Sequence, residues 1–261
     1  MASSHAIETI SPSELHYLNS KITVANRMYL AQNIAEFSQN REAIQDSCYP
    51  YKTYPGATRY PLKSQYIWWK RLQSVLQKRR SSTNFTGKPI SLKSLSTILL
   101  QGYGKTTTIY DERFPEVEHS LRSAPSGGAL YPIEVYPLCL NIKSIPRGCY
   151  HYHVKDKVIE KVNQKTMNEV DQMFVGIPQQ ECATILVFTA IKERTYVKYG
   201  ERGYRFLFLE AGHIAQNILL LASAIGLKAC PIGGFVEDNI VDFLDIDHKR
   251  EWVIYALAIG K

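Results

Sequence analysis

The broadest periodic stretch of the chain runs from about Tyr204 to Ile225, where Leu207, Phe208, Ala211, Ile214, Ala215, Ile218, Leu219, Ala222 and Ile225 recur at helical spacing. An apolar stripe this wide predicts a core helix, and Gly226 suits the left-handed position that closes it. Gly212, Ala215 and Ala222 are small, which predicts close approach to a neighbouring helix. Thr184 to Ala190 is a short apolar run between polar residues and predicts a buried central strand. Ile133 to Leu140 reads as another strand, GCYHYHVKDKVIEKV as a hairpin turning at Lys155, Asp156 and Lys157, and WVIYALAIG as a closing strand. Helices are predicted from about Ser64 to Lys78 (Ile67, Leu72, Val75 and Leu76 apolar) and from Ser91, a capping residue, to Gly102. A short one follows around Val236 to Leu244. Thr106 to Leu121 reads as a polar loop. Strands separated by helices of these lengths predict an α+β fold, a mixed central sheet flanked by helices.

The first 62 residues differ in character. They are polar and rich in tyrosine, with one amphipathic helix on which Leu30, Ile34 and Phe37 share a face. Tyr-Pro repeats at Tyr49, Tyr54 and Tyr60, and each proline pushes the residue before it out of the helical region, so CYPYKTYPGATRYP should be extended. It reads as a strap on the domain surface or as a peptide-gripping arm. A chain of 261 residues, 45% hydrophobic, supports an accessory segment over 1–62 and one domain over 63–261.

Charge adds less than its sum suggests. The formal net charge is +7, but the only dense basic cluster is Lys78, Arg79 and Arg80, and no nucleic-acid reading module is recognisable. Five cysteines at irregular spacings, without a CxxC pair, read as reduced thiols of a cytoplasmic protein. The N-terminus lacks a secretory pattern, and no apolar run is seen to approach the ~20 residues of a bilayer span.

Three turns could carry chemistry: RRSS at Arg79 to Ser82, SGG at Ser126 to Gly128 and PIGG at Pro231 to Gly234. Two arginines beside two hydroxyls suit a phosphate, since guanidinium forks and short donors can share its oxygens. Adjacent glycines let backbone N–H groups come close to the edge of a planar ring. GYGKTT resembles the end of a phosphate-binding Walker loop but has Leu99 where glycine is required and follows a helix. Cys149, His151 and His153 would project from one strand face, yet spacing offers no fourth ligand, so no metal site is expected. Glu210, His213, Gln216 and Asn217 on the core helix read as interior or interface hydrogen-bonding groups.

RRSSTNF, SAPSGGALYPIEVY, KYGERGYRFLFLEAGHIAQNILLLASAIGL and CPIGGF, in that order across about Arg79 to Gly260, resemble the flavin-dependent nitroreductase superfamily, and within it the SagB-type thiazoline/oxazoline dehydrogenases. The resemblance implies an FMN-binding homodimer with two sites at the subunit interface. Arg79, Arg80 and Ser81 would face the phosphate and pyrimidine side of FMN. Pro125, Ser126, Gly127 and Gly128 would approach from the partner subunit, and Pro231, Ile232, Gly233 and Gly234 would run along the ring near N5. Thr83 stands where many nitroreductases carry a basic residue, with Lys261 a candidate replacement. Lys198 and Tyr199 match the Lys-Tyr pair to which azoline dehydrogenases give proton handling. Converting an azoline to an azole removes a proton from Cα and a hydride from Cβ, so a base is needed beside a hydride acceptor. Either Lys198 lowers the pKa of Tyr199 or Lys198 is itself the base, and both can face one ligand only if VKYGERG is a turn.

The expected function is FMN-dependent oxidation of thiazolines or oxazolines in a ribosomally made precursor peptide, with dioxygen as final acceptor. A YcaO-type cyclodehydratase and a peptide-recognition subunit of a synthetase complex would be partners. A general NAD(P)H-dependent nitroreductase or flavin reductase, and a non-catalytic peptide-binding scaffold, are the alternatives.

Overall fold

A computed structural model describes residues 15, 16, 19, 27–64, 72–110, 114 and 117–261. Ile67, one apolar position of the expected helix from Ser64, lies outside them, and that helix is described over Leu72–Lys78. The architecture is the expected α+β one. Its centre is a seven-stranded sheet in the order β1-β8-β7-β5-β9-β11-β10. The strands are β1 (Arg59–Pro61), β5 (Ile133–Cys139), β7 (Gly148–His153), β8 (Val158–Lys161), β9 (Thr184–Ile191), β10 (Lys228–Ile232) and β11 (Glu251–Gly260). Neighbours in this sheet pair antiparallel. Parallel pairing enters at its edge, where Ser81 bridges Ala229. Two short strands, β2 (Ile90–Ser91) and β6 (Ile142–Lys143), pair parallel outside it.

Both faces of the sheet are covered, which is why every residue of β5, and all but the last of β9, is buried. Ile133 and Val135, with Leu186 and Phe188, point into a core shared with two helices, α4 (Leu92–Tyr103) and α6 (Gly203–Ala224). Tyr136, Leu138, Ile185 and Val187 point into the opposite core, with Phe85, Phe174 and the residues Ile240 and Phe243 of α7 (Glu237–Leu244). Further helices are α1 (Arg27–Gln39), α2 (Arg41–Ser47), α3 (Leu72–Lys78) and α5 (Glu193–Tyr199).

Helix ends follow the sequence signals. Ser91 caps α4 by accepting the Ser94 N–H at 3.0 Å. Gly226, at φ +76, closes α6 with Gly226 N–H donating to Ser223 O and Leu227 N–H to Ala222 O, the paired bonds of a Schellman turn.

Three expectations need correction. Thr106 to Leu121 is not a loop: β3 (Lys105–Tyr110) and β4 (Glu118–Arg122) form an antiparallel ribbon. It escapes a polarity pattern because β3 has no buried residue, so no apolar alternation marks it. Gly212 does not mediate a close helix contact. It is exposed with nothing near its would-be Cβ, whereas a Cβ on Gly102 of α4 would lie 2.7 Å from Ile218 Cγ1 of α6. Finally, the segment Glu193–Ala224 is long and apolar enough to cross a membrane by length and composition alone. The chain breaks within it at Gly200, and one side of α6 is packed into the core.

The strap is part of the sheet. β1 extends it beyond β8, and Lys52 reaches the buried carboxylate of Glu251 at 2.5 Å. Tyr136 and Thr189 donate to the other oxygen of that carboxylate at 2.8 and 2.6 Å. Arg122, buried, donates to Pro50 O and stacks against Tyr51, Tyr103 and Tyr131.

Candidate active site

The RRSS and PIGG stretches meet at the sheet edge. After α3 the chain straightens, Ser82 N–H donates to Ala229 O at 3.0 Å, and Ser81 bridges Ala229. Arg79, Arg80, Ser81 and Thr83 therefore run along the outer side of β10, whose last residues, Pro231 and Ile232, lead into Gly233 and Gly234. Arg79 Nη1 lies 3.4 Å from Ser81 Oγ, and the exposed Arg80 guanidinium folds back onto the carbonyls of Gln77 and Arg79 at 2.8 Å. Ile232 is buried in the core, so only its backbone is available here. Gly233 is exposed with open space where a Cβ would stand, while Gly234 lies against Val175, whose N–H donates to Gly234 O. Phe85 anchors the first motif by packing on Gly260, and Thr86 N–H donates to Lys261 O, so Lys261 lies beside this group.

The SGG turn and the Lys-Tyr pair form a second group. Gly128 adopts φ +68, and Ala129 and Tyr131 also have positive φ, so the turn is tightly wound. A Cβ on Gly128 would sit 2.7 Å from Tyr199 Oη and 3.1 Å from Lys198 Nζ. The two sequence-adjacent side chains converge on one glycine. The turn expected of VKYGERG takes the form of a helix break followed by a short turn at Gly200–Arg202. Lys198 and Tyr199 are the last residues of α5, and Gly200, at φ +53 and ψ −144, breaks the helix directly after them. Phe206 supports the arrangement, stacking edge-on against Tyr199 at 4.9 Å and facing Gly127. Lys198 Nζ lies 5.3 Å from the Phe37 ring of α1. Burial raises the pKa of Tyr199, so the phenol is a weaker acid than in water.

Behind this turn lies a polar layer whose partners sequence could not join. Ser126 donates to Glu210 and accepts the Tyr131 N–H at 2.9 Å. Tyr103 donates to Glu210 Oε1 at 3.2 Å. Glu210 is 2% exposed and its Oε2 has no hydrogen-bond partner, and burial pushes its pKa up to about 7 despite Ser126, Arg122, Tyr103 and Arg194. Next to it, Arg194 donates to Tyr131 O at 3.0 Å and to Glu134 Oε1 at 2.5 Å, and His151 pairs with Glu134 Oε2 at 2.6 Å. Burial alone would raise Glu134, but Arg194 and His151 outweigh it and hold its pKa at about 2. His151 is thus a member of a buried ion-pair network, and no group of three metal-ligating side chains occurs among the described residues. The one signal in sequence was a charge inside an apolar strand, Glu134 in IEVY.

The two groups stand apart. β5, which follows the SGG turn, and β10, which carries PIGG, are separated in the sheet by β9 and β11. At the usual strand spacing that is about 14 Å.

Residues 76–261 match the family model described as the nitroreductase family. A protein of Methanocaldococcus jannaschii named as a nitroreductase is 32% identical over 197 residues, 73% of this chain and 91% of the relative. The microcin B17-processing protein McbC of Escherichia coli is 29% identical, over 65% of this chain and 62% of its own length. The trifolitoxin-processing protein TfxB of Rhizobium leguminosarum is 27% identical, over 66% of this chain and 48% of its own length, so the matches span about half to two thirds of these two relatives. Among solved structures, a chain of the E. coli microcin synthetase McbBCD complex with truncated pro-MccB17 superposes with a TM-score of 0.62 at 22% identity, covering 97% of this chain and 94% of that one. By sequence and fold alike, this chain belongs to the nitroreductase family, a family of oxidoreductases.

Proposed function

We propose that this protein oxidises azoline rings in a ribosomally made peptide to thiazoles or oxazoles, using FMN. The observation that carries the reading is the convergence of Lys198 Nζ and Tyr199 Oη on Gly128. A general flavin reductase has no need of a paired amine and phenol at one glycine turn, whereas azoline oxidation needs a proton acceptor at Cα. The similarity to proteins named for microcin B17 and trifolitoxin processing supports a peptide substrate, and the superposition on a microcin synthetase chain agrees in fold.

The residues present fit FMN. Arg79, Ser81 and Thr83 offer donors suited to a phosphate, and the exposed backbone of Gly233, with open space above its Cα, suits the flat edge of a ring. When bound, FMN supplies the hydride acceptor. The chain's own part is the proton. Burial moves the Tyr199 pKa further above neutral, so the phenol serves as a donor that orients the ring, which leaves Lys198 Nζ, the other atom at Gly128, to accept the Cα proton. Gly128 keeps both atoms within reach, since any side chain there would displace them.

Two copies of the chain would bring the SGG-KY group of one subunit over the RRSS-PIGG group of the other. Exposed apolar residues on neighbouring helices, Leu72 and Leu76 of α3 with Phe208 and Leu209 of α6, offer a surface for that contact. A cyclodehydratase of the YcaO type would supply the azoline.

Lys198→Ala and Tyr199→Phe should purify yellow with FMN yet lose the mass decrease of about two daltons per ring seen with a cyclised peptide. Turnover of both variants at the wild-type rate would remove the role assigned to the pair. The relative named as a nitroreductase favours a second reading, an NAD(P)H-dependent reductase, and rapid bleaching of the bound flavin by NADH would select it.

A further inference from the structure

A cavity of about 590 Å3 opens between the first turns of α6, the loop after β10 and the start of β11, and Gly233 lies on its lining. Its walls are aromatic. Tyr204 stands edge-on to Phe208 at 4.9 Å and to Trp252 at 6.0 Å, and Phe235 closes the side next to the PIGG turn. Glu237 and Asp238, in the opening turn of α7, form the rim, and both are exposed. Neither makes an ion pair with another described residue. Glu251 also lines the cavity, but Lys52, Tyr136 and Thr189 occupy its carboxylate, so the rim acids carry the available negative charge.

We infer that this cavity is a specificity subsite for a cationic side chain, arginine or lysine, of the peptide beside the ring to be oxidised. The inference rests on the azoline-oxidising reading for its substrate, and on the cavity alone for its charge preference. Aromatic faces attract a guanidinium or ammonium through their quadrupole, and carboxylates at the mouth add a direct attraction. The chain already displays this preference: Lys192 Nζ sits 4.6 Å from the centre of the Trp252 ring. The acidic rim also runs against the overall charge of +7, which by itself would favour anions. A dinucleotide donor would have to bring its phosphates past Glu237 and Asp238, so the rim selects for a peptide over a nicotinamide cofactor. Because Gly233 belongs both to the cavity and to the PIGG turn, a side chain held here would place its neighbouring backbone beside that turn.

The test uses three hexapeptides carrying an already aromatic thiazole, identical except for arginine, citrulline or glutamate next to the ring. They are titrated into the protein as isolated and followed by calorimetry. Such peptides cannot be oxidised further, so the result does not depend on turnover, and failure of the azoline reading would show separately as lack of oxidation of the matching thiazolines. The arginine peptide should bind about tenfold more tightly than the citrulline peptide, and more tightly still than the glutamate one. Glu237→Gln with Asp238→Asn should bring arginine and citrulline to near equality, Trp252→Leu should weaken arginine binding, and Glu42→Gln, on α2, should change nothing. Equal binding of the three peptides to wild type, no measurable binding of any, or an arginine preference that survives the double substitution would each overturn the inference.

Discussion

Glu210 sits where the fold tolerates a carboxyl more easily than a carboxylate. Its Oε1 receives Tyr103, its partner Ser126 forms the first corner of the SGG turn, and its Oε2 faces no donor. With a folded pKa of about 7 against roughly 4.3 when unfolded, the native state holds a proton that the unfolded chain has already released. Its stabilising effect is therefore complete below pH ~4 and declines as pH rises to about 7, by roughly 4 kcal/mol in total. Glu210→Gln keeps the acceptor and removes the charge. Urea midpoints of wild type and variant should lie close together at pH 5 and diverge in favour of the variant by pH 8. Parallel pH profiles would contradict the assignment. At this scale the sequence was legible where chemistry is local: Ser126, Gly127, Gly128, Lys198 and Tyr199 were identifiable as a turn and a pair. It was not legible where chemistry is between distant residues. Glu210 on a helix reads only as an interior polar group, and nothing in its neighbourhood points to Ser126. Nor does sequence show that Tyr199 is half-buried, which is what raises its pKa.

The elements were easier to read than their contacts. Periodicity marks α6 because burial repeats along a helix with one packed side, whereas β5 and β9 stand out as short continuous runs because both of their faces are buried. Periodicity does not say which small residue faces a neighbour: smallness alone points to Gly212, where Gly102 is the contact. The ribbon β3–β4 failed for a related reason, since a run of threonines with no buried face looks like a loop. The Gly102 contact makes a direct prediction. Gly102→Ala would push a Cβ to 2.7 Å from Ile218 Cγ1 in a packed interface, a cost of about 1–3 kcal/mol. Ile218→Ala alone leaves a void costing about 2–5 kcal/mol. Combined, the added methyl and the void partly cancel, so the double variant should be more stable than the sum of the two losses predicts. Strict additivity in chemical denaturation would mean that α4 and α6 do not meet there.

For the whole molecule the decisive fact is that the candidate site residues divide into two groups, one on the β10 edge and one at the SGG turn, with two strands between them. In the proposed dimer each site takes RRSS and PIGG from one subunit and SGG from the other. The structure adds that Lys198 and Tyr199 travel with SGG on the same chain, because both touch Gly128. A variant lacking the base, Lys198→Ala, and a variant lacking the phosphate donors, Arg79→Ala with Arg80→Ala, therefore damage different halves. Each alone should be inactive. When the two are unfolded, mixed in equal amounts and refolded together, half of the dimers are mixed on random pairing, and each mixed dimer has one site with both halves intact and one with both damaged. Recovered azoline oxidation should approach about a quarter of the wild-type value per chain, by the statistics of a symmetric two-site dimer. Were the Lys-Tyr pair to serve the RRSS group of its own chain, every site in the mixture would keep one defect and activity would stay at the level of the separate variants. The experiment thus reads the path of the proton across the subunit boundary, and a monomeric protein by sedimentation would exclude that path altogether.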